Sequence, residues 1–157
     1  MIKQQTHTEG VKSTAAIAGH PLHPVLIPFP IAFLTGALLT DVVYWLTNNT
    51  FWADMSYWLI VGGLVMSLVA AALGLIDFLT IDRVRSHTAG WIHAGTNVAV
   101  IVLALVNWWI RRGAADTAVL PGGLLLSVTT AVLLVISGWF GGELAYRHKI
   151  GVVGHDE

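Results

Sequence analysis

The 157-residue chain contains no cysteine. Disulfides, thiolate-held metals, covalently attached c-type haem and cysteine-ligated iron–sulfur clusters are therefore excluded within it. Any metal or cofactor must rest on nitrogen or oxygen ligands. Charge is scarce as well: Asp, Glu, Lys and Arg make up 11% of the residues, against roughly 25% in soluble domains. A formal net charge of −1 offers no basic surface for nucleic acid. Enzyme motifs are missing too, with no Ser/His/Asp arrangement, no phosphate-cradling glycine loop and no HExxH pair. Whether the chain is an enzyme stays open on sequence grounds. What is abundant is apolar: hydrophobic residues make up 55%, the composition of a membrane protein.

A hydrocarbon core about 30 Å thick needs about 20 apolar residues in a helix. Four stretches qualify, about 25–46, 57–80, 90–110 and 119–146. Turn chemistry separates them at Thr47-Asn48-Asn49-Thr50, at 82–88, and from Arg111-Arg112-Gly113 to Pro121-Gly122. In lipid every backbone polar group must be satisfied within the segment, so each span is expected to be helical. The expected fold class is all-α, an integral membrane four-helix bundle with short loops. Residues 19–150 form one domain on this reading, between a polar tail (1–18) and a C-terminal tail (151–157). The first apolar run is too long for a signal h-region, so the N-terminus is expected to be retained.

Threading four spans places Lys3, Lys12, Arg83, Arg85, Arg147 and Lys149 on one membrane side, face A, and Arg111 and Arg112 on the other, face B. The positive-inside rule then predicts a multi-pass membrane protein with face A and both termini in the cytoplasm. Face B carries the heavier aromatic belt: Tyr44, Trp45, Phe51, Trp52, Tyr57, Trp58, Trp108 and Trp109. These rings are read as interfacial anchors.

The most unusual segment is His20-Pro21-Leu22-His23-Pro24, at the mouth of the first span. Each of the two histidines precedes a proline, which biases it toward extended backbone. Pro28 and Pro30 remove further donors from the first turns. A Pro-rich, non-helical entry to the first helix is expected, folding His20 and His23 over the end of the bundle. His87, His93 and His148 return to the same face. His7 and His155 lie in the polar tails and are assigned nothing.

Helical spacing identifies interior faces. On the third span Ser86, Gly90, His93, Asn97, Val100, Ala104 and Asn107 share one face. On the fourth, Leu134, Gly138, Gly141, Ala145 and His148 do so, and on the second Gly63, Met66, Ala70, Gly74 and Asp77. The small pairs Ala70/Gly74, Gly90/Ala94 and Gly138/Gly142 indicate close helix packing, or else a slot for a flat cofactor. Asp77 is the better carboxylate partner for the histidines, since Glu143 points almost opposite His148 along a continuous helix. Asp41 lies near face B and is read as an interhelical hydrogen-bonding group. A faint repeat runs from His23 to Asp77 and from His93 to Glu143, as an old hairpin duplication would leave.

The opening Gly19-His20-Pro21-Leu22-His23-Pro24 with Pro28-Phe29-Pro30 and Asp41 resembles a bacterial membrane family catalogued only as a domain of unknown function. So do His93 and the closing Gly141-Gly142-Glu143-Leu144-Ala145-Tyr146-Arg147-His148. The resemblance covers roughly residues 19–153, and Lys149 departs from it where glycine is expected. It implies four spans and electron-transfer company, because relatives are joined to Rieske-type or cytochrome c-type domains.

Three functions are compatible with these residues. A b-type haem would take two imidazoles at similar depth, His93 with His148, His23 or His20, with Asn97 one turn away as a supporting group. A non-haem metal site, serving transport or sensing, would use His20, His23, His93 and His148, with Asp77. A structural scaffold would need neither. Redox partner proteins fit the first reading, and the glycine-rich faces would also suit a homodimer.

Overall fold

The computed structural model describes residues 9–152, which excludes Lys3, His7 and His155. A two-stranded hairpin opens it, β1 (Ala16–Ile17) and β2 (His20–Pro21), with Ile17 opposite His20. Ala18 and Gly19 form the connecting turn with φ of 49° and 80°. Positive φ at both central residues matches the right-handed twist of the strands. The helices follow as α1 (Leu22–Leu26), α2 (Pro28–Thr47), α3 (Thr50–Thr80), α4 (Asp82–Ser86), α5 (Thr88–Arg111), α6 (Ala115–Ala118) and α7 (Leu124–Gly142). A wide helical turn at Glu143–Arg147 extends α7 at its C-terminal end, while at Val119–Gly123 the chain kinks between α6 and α7, with Leu120 in a non-helical conformation (φ −115°, ψ 136°).

Four helical stretches are long and apolar enough to cross a membrane: Leu22–Thr47, Thr50–Thr80, Thr88–Arg111 and Ala115–Arg147, the last of them kinked at Leu120. The all-α four-span bundle is therefore as the sequence indicates, although the second span begins seven residues before the expected boundary. Asn49 explains that early start. Its side chain accepts a hydrogen bond from the Phe51 N–H at 3.0 Å, capping α3 immediately after Asn48 closes α2 with φ of 51°.

The expected non-helical entry is corrected from Leu22 onward. His20 and Pro21 are extended in β2, but His23 already lies inside α1. Pro24 falls in the first turn of α1, and Pro28 and Pro30 fall in the first turn of α2. The missing proline donors would have had no partner at those positions, so the helix accepts them. The Ile27 N–H donates to the His23 carbonyl at 3.1 Å, joining the two pieces.

Helix α2 packs chiefly on α3, and α5 on α7, while α2–α7 and α3–α5 contacts close the bundle. The molecule is thus two antiparallel hairpins side by side, with α2 and α5 on one diagonal. Leu34, Val100, Ala104 and Leu134 form the apolar centre between them. The third span turns inward the face that periodicity selects, including Gly90, Val100, Ala104 and Asn107. The fourth does not. Ser127, Thr130, Leu134 and Ser137 are buried, whereas Gly138 meets open space. The interior stripe of α7 steps three residues from Leu134 to Ser137, where the sequence reading steps four. Large side chains such as Leu39, Leu46, Val98, Leu125 and Val135 face outward, as lipid contact requires.

The two ends of the described segment meet at face A. The Val11 N–H donates to the Lys149 carbonyl at 3.0 Å, and the Gly151 N–H donates to the Val11 carbonyl at 2.7 Å.

Candidate functional site

Two polar centres lie on the α2–α5 diagonal, one near each membrane face. Near face A, the His23 Nδ1–H donates to the Ala70 carbonyl of α3 at 2.8 Å. The His93 Nδ1–H donates to the Ser137 carbonyl of α7 at 2.9 Å. Each ring lies against a glycine four residues further along that helix. A Cβ at Gly74 would come within 3.0 Å of the His23 ring, and one at Gly141 within 3.0 Å of the His93 ring. The two histidines are thus held by the same device, each across its own hairpin.

Their ring centroids lie 6.1 Å apart with the planes at 88°, an edge-on arrangement. Because Nδ1 of each is committed to a carbonyl, the tautomer leaves Nε2 with its lone pair available. The His93 Nε2 accepts from the Asn97 amide, whose nitrogen stands 3.2 Å away and also donates to the His93 carbonyl at 2.8 Å. Among the described residues the His23 Nε2 has no hydrogen-bond partner.

The other expected site residues go elsewhere. His20 is exposed in β2. His148 stacks on His87, with ring centroids 3.7 Å apart, rather than on His93. His87 in turn donates from Nδ1 to the Arg83 carbonyl at 2.7 Å. Burial holds the His148 imidazole below its usual pKa, and the neighbouring His87 adds to the effect. Asp77 is taken up by the N-terminal segment. Its carboxylate accepts from the Ser13 hydroxyl at 2.7 Å and from the Thr14 and Ala15 N–H groups at 2.8 and 2.9 Å. Three filled acceptor positions explain why it fastens that segment and does not reach the histidines. Among the described residues, no three His, Asp or Glu side chains come together as metal ligands would. Of the expected set, the structure brings together His23, His93 and Asn97.

The second centre, near face B, was read from sequence only as a possible interhelical bond at Asp41. It is a fully buried ion pair. Arg111 donates from Nη1 to Asp41 Oδ1 at 2.7 Å and from Nη2 to Oδ2 at 2.8 Å, with both side chains at 0% exposure. The Ser56 and Ser127 hydroxyls donate to the same carboxylate at 2.5 and 2.6 Å. The Arg111 Nε–H donates to Asn107 Oδ1 at 2.8 Å, and the Asn107 amide donates to the Gly123 carbonyl at 3.2 Å. Such saturation is what a charge pair inside lipid needs. Gly123 belongs to this centre by its size, since a Cβ there would fall 2.6 Å from Arg111 Nη2.

Arg111 escaped the sequence reading because it looks like a loop charge beside Arg112. A signal did exist. Asp41 lies eighteen residues after His23, and Arg111 lies eighteen after His93. Ala70 precedes Gly74 by the same step that separates Ser137 from Gly141. The faint repeat in the sequence is therefore a repeat of hydrogen-bonding positions, with Asp41 and Arg111 as counterparts carrying opposite charge.

Fold and centres together define a four-span integral membrane protein built from two similar hairpins that meet along a polar diagonal. The chain belongs to the family described as "Predicted membrane protein (DUF2231)", whose model matches residues 19–154. Neither a curated protein nor a solved structure matches it.

Proposed function

We propose that the protein is a redox-associated membrane component whose His23–His93 pair holds a non-haem transition-metal ion. The carrying observation is the paired geometry: two imidazoles from equivalent positions, each fixed through Nδ1, with perpendicular rings 6.1 Å apart. Two metal–nitrogen bonds of about 2.0–2.1 Å plus half of each ring separate opposed centroids by roughly 6 Å. Imidazole suits copper, iron, zinc or nickel, and copper or iron would supply electron transfer. Two histidines leave further coordination positions open to solvent or a second molecule.

The b-type haem fits this packing less well. Of the small residues that would make room for a macrocycle, Gly74 is covered by the His23 imidazole, Gly90 lies against the Val84 carbonyl, and Gly138 is exposed, away from both histidines. His148, the other candidate axial ligand, is stacked on His87.

Face A is proposed to be cytoplasmic, in a bacterial inner membrane. Arg83, Arg85, Arg147 and Lys149 lie there, whereas on face B Arg111 is neutralised by Asp41. Only Arg112 remains on that side, 3.2 Å over the Trp109 ring.

The test is to purify the protein in mild detergent, load it separately with copper, iron and zinc, and measure bound metal after desalting. About one ion per chain is expected, lost in both His23→Ala and His93→Ala. No retained metal with any of the three, or undiminished metal in the double variant, would overturn the proposal. The scaffold reading would then stand.

A further inference from the structure

The apolar centre of the bundle contains one polar side chain that has nothing to bind. Thr130 is 3% exposed, and its hydroxyl is the one buried side-chain polar atom among the described residues without a hydrogen-bond partner. Other threonines in the spans return their hydroxyls to a carbonyl four residues earlier: Thr35 to Ile31, Thr40 to Gly36, Thr47 to Val43, Thr96 to Ile92 and Thr129 to Leu125. That bond is the ordinary solution for a hydroxyl in lipid. Thr130 forgoes it, although its neighbour Thr129 on the same helix makes it. Leaving a buried hydroxyl unpartnered is costly, so the absence needs a reason.

The reason lies in the small internal cavity that Thr130 lines with Asn107, Ser127, Leu34 and Ala104. It offers about 10 Å³ to the centre of a water-sized sphere, about what one water molecule requires. Its polar wall supplies what that molecule would bind. Asn107 Oδ1 accepts one bond from Arg111, and Ser127 Oγ accepts one from the Asn107 amide. Each oxygen retains a second lone pair. A water can thus accept from the Thr130 hydroxyl and donate to Asn107 or Ser127, giving the bonds a buried water needs.

We infer that this cavity is a binding site for a single structural water, ligated by Thr130 and by Asn107 or Ser127. The water carries the Asp41–Arg111 network one step further from face B, to the edge of the layer formed by Leu34, Val100 and Leu134. A cation is disfavoured there, because the Arg111 guanidinium already supplies positive charge to the same asparagine.

An experimental structure in lipid or detergent, at a resolution that resolves ordered solvent, tests the site. A solvent peak is expected within hydrogen-bonding distance of Thr130 Oγ1 and of Asn107 Oδ1 or Ser127 Oγ. It should persist in Thr130→Ser and vanish in Thr130→Val, with the helices unmoved. Thr130 turned onto its own helix carbonyl with no peak in the cavity would overturn the inference, and so would an empty cavity beneath an unmoved hydroxyl. A peak coordinated at metal distances would overturn it as well.

Discussion

Asp41 and Arg111 stand at corresponding positions of the two hairpins and neutralise each other across the bundle diagonal, at 2.7 and 2.8 Å. Helices α2 and α5 do not pack closely, so two short side chains would leave that diagonal open. One long cation and one short anion close it.

Removing one member should therefore cost far more than removing a surface charge. Arg111→Met or Asp41→Ala leaves the other charge buried and is expected to destabilise the protein by about 3–5 kcal/mol. Unfolding in detergent, followed by loss of helical signal, measures this. The double variant Asp41→Leu/Arg111→Met should recover a large part of the loss. If it is no more stable than the worse single variant, the pair is not acting as a unit.

The glycines sort in the same way. At Gly123 an added Cβ meets Arg111 Nη2 at 2.6 Å and the Ala118 carbonyl oxygen at 2.7 Å, whereas at Gly138 it meets nothing within 4 Å. Gly123→Ala should cost about 1–3 kcal/mol through overpacking. Gly138→Ala should change stability by no more than about 0.5 kcal/mol. Equal effects at the two positions in thermal melts would contradict the packing described.

Most of the fold was legible in the sequence because lipid enforces it: a long apolar run has no alternative to a helix. The inward face of α5 was readable for the same reason, since small and polar residues repeat there without interruption. Two things were not readable. A proline pattern such as Leu22-His23-Pro24 signals extended backbone or a helix start equally well, and which one holds depends on the first-turn position that tertiary packing assigns. The fate of each histidine depended on competition. Asp77 was claimed by the backbone donors of Thr14 and Ala15, and His148 by His87, neither of which leaves a mark in sequence spacing.

Asn97 gives a sharper check on the histidine pair. Its amide occupies the His93 Nε2 lone pair that a metal would need. Asn97→Ala should therefore tighten metal binding, by about 3- to 10-fold for a released bond of about 1 kcal/mol. Competition against a chromogenic chelator measures it. Weaker binding would mean that Asn97 supports the ion and does not compete with it.

Acid should loosen the face-A end. His148 is held below the ordinary imidazole pKa of 6.5 by burial first and by His87 second; Glu143 opposes this, while Arg147 and Arg83 reinforce it. A folded pKa below the unfolded one means that the unfolded chain binds the proton more readily. This contribution is thus fully present above pH 6.5 and is lost as pH falls through the lower folded value. Melting temperature should fall as pH drops below 6.5, and His148→Gln should flatten that dependence. An unchanged slope in the variant would assign the acid sensitivity to other groups.

Val11 and Ile150 lie side by side, bridged by backbone hydrogen bonds. A soluble module carried ahead of Glu9 or behind Val152 would thus be leashed to the same spot, next to the histidine end of the bundle. Tethering fixes a high local concentration without any docking interface. Which end bears such cargo becomes a matter of gene order, because either attachment delivers it to one place.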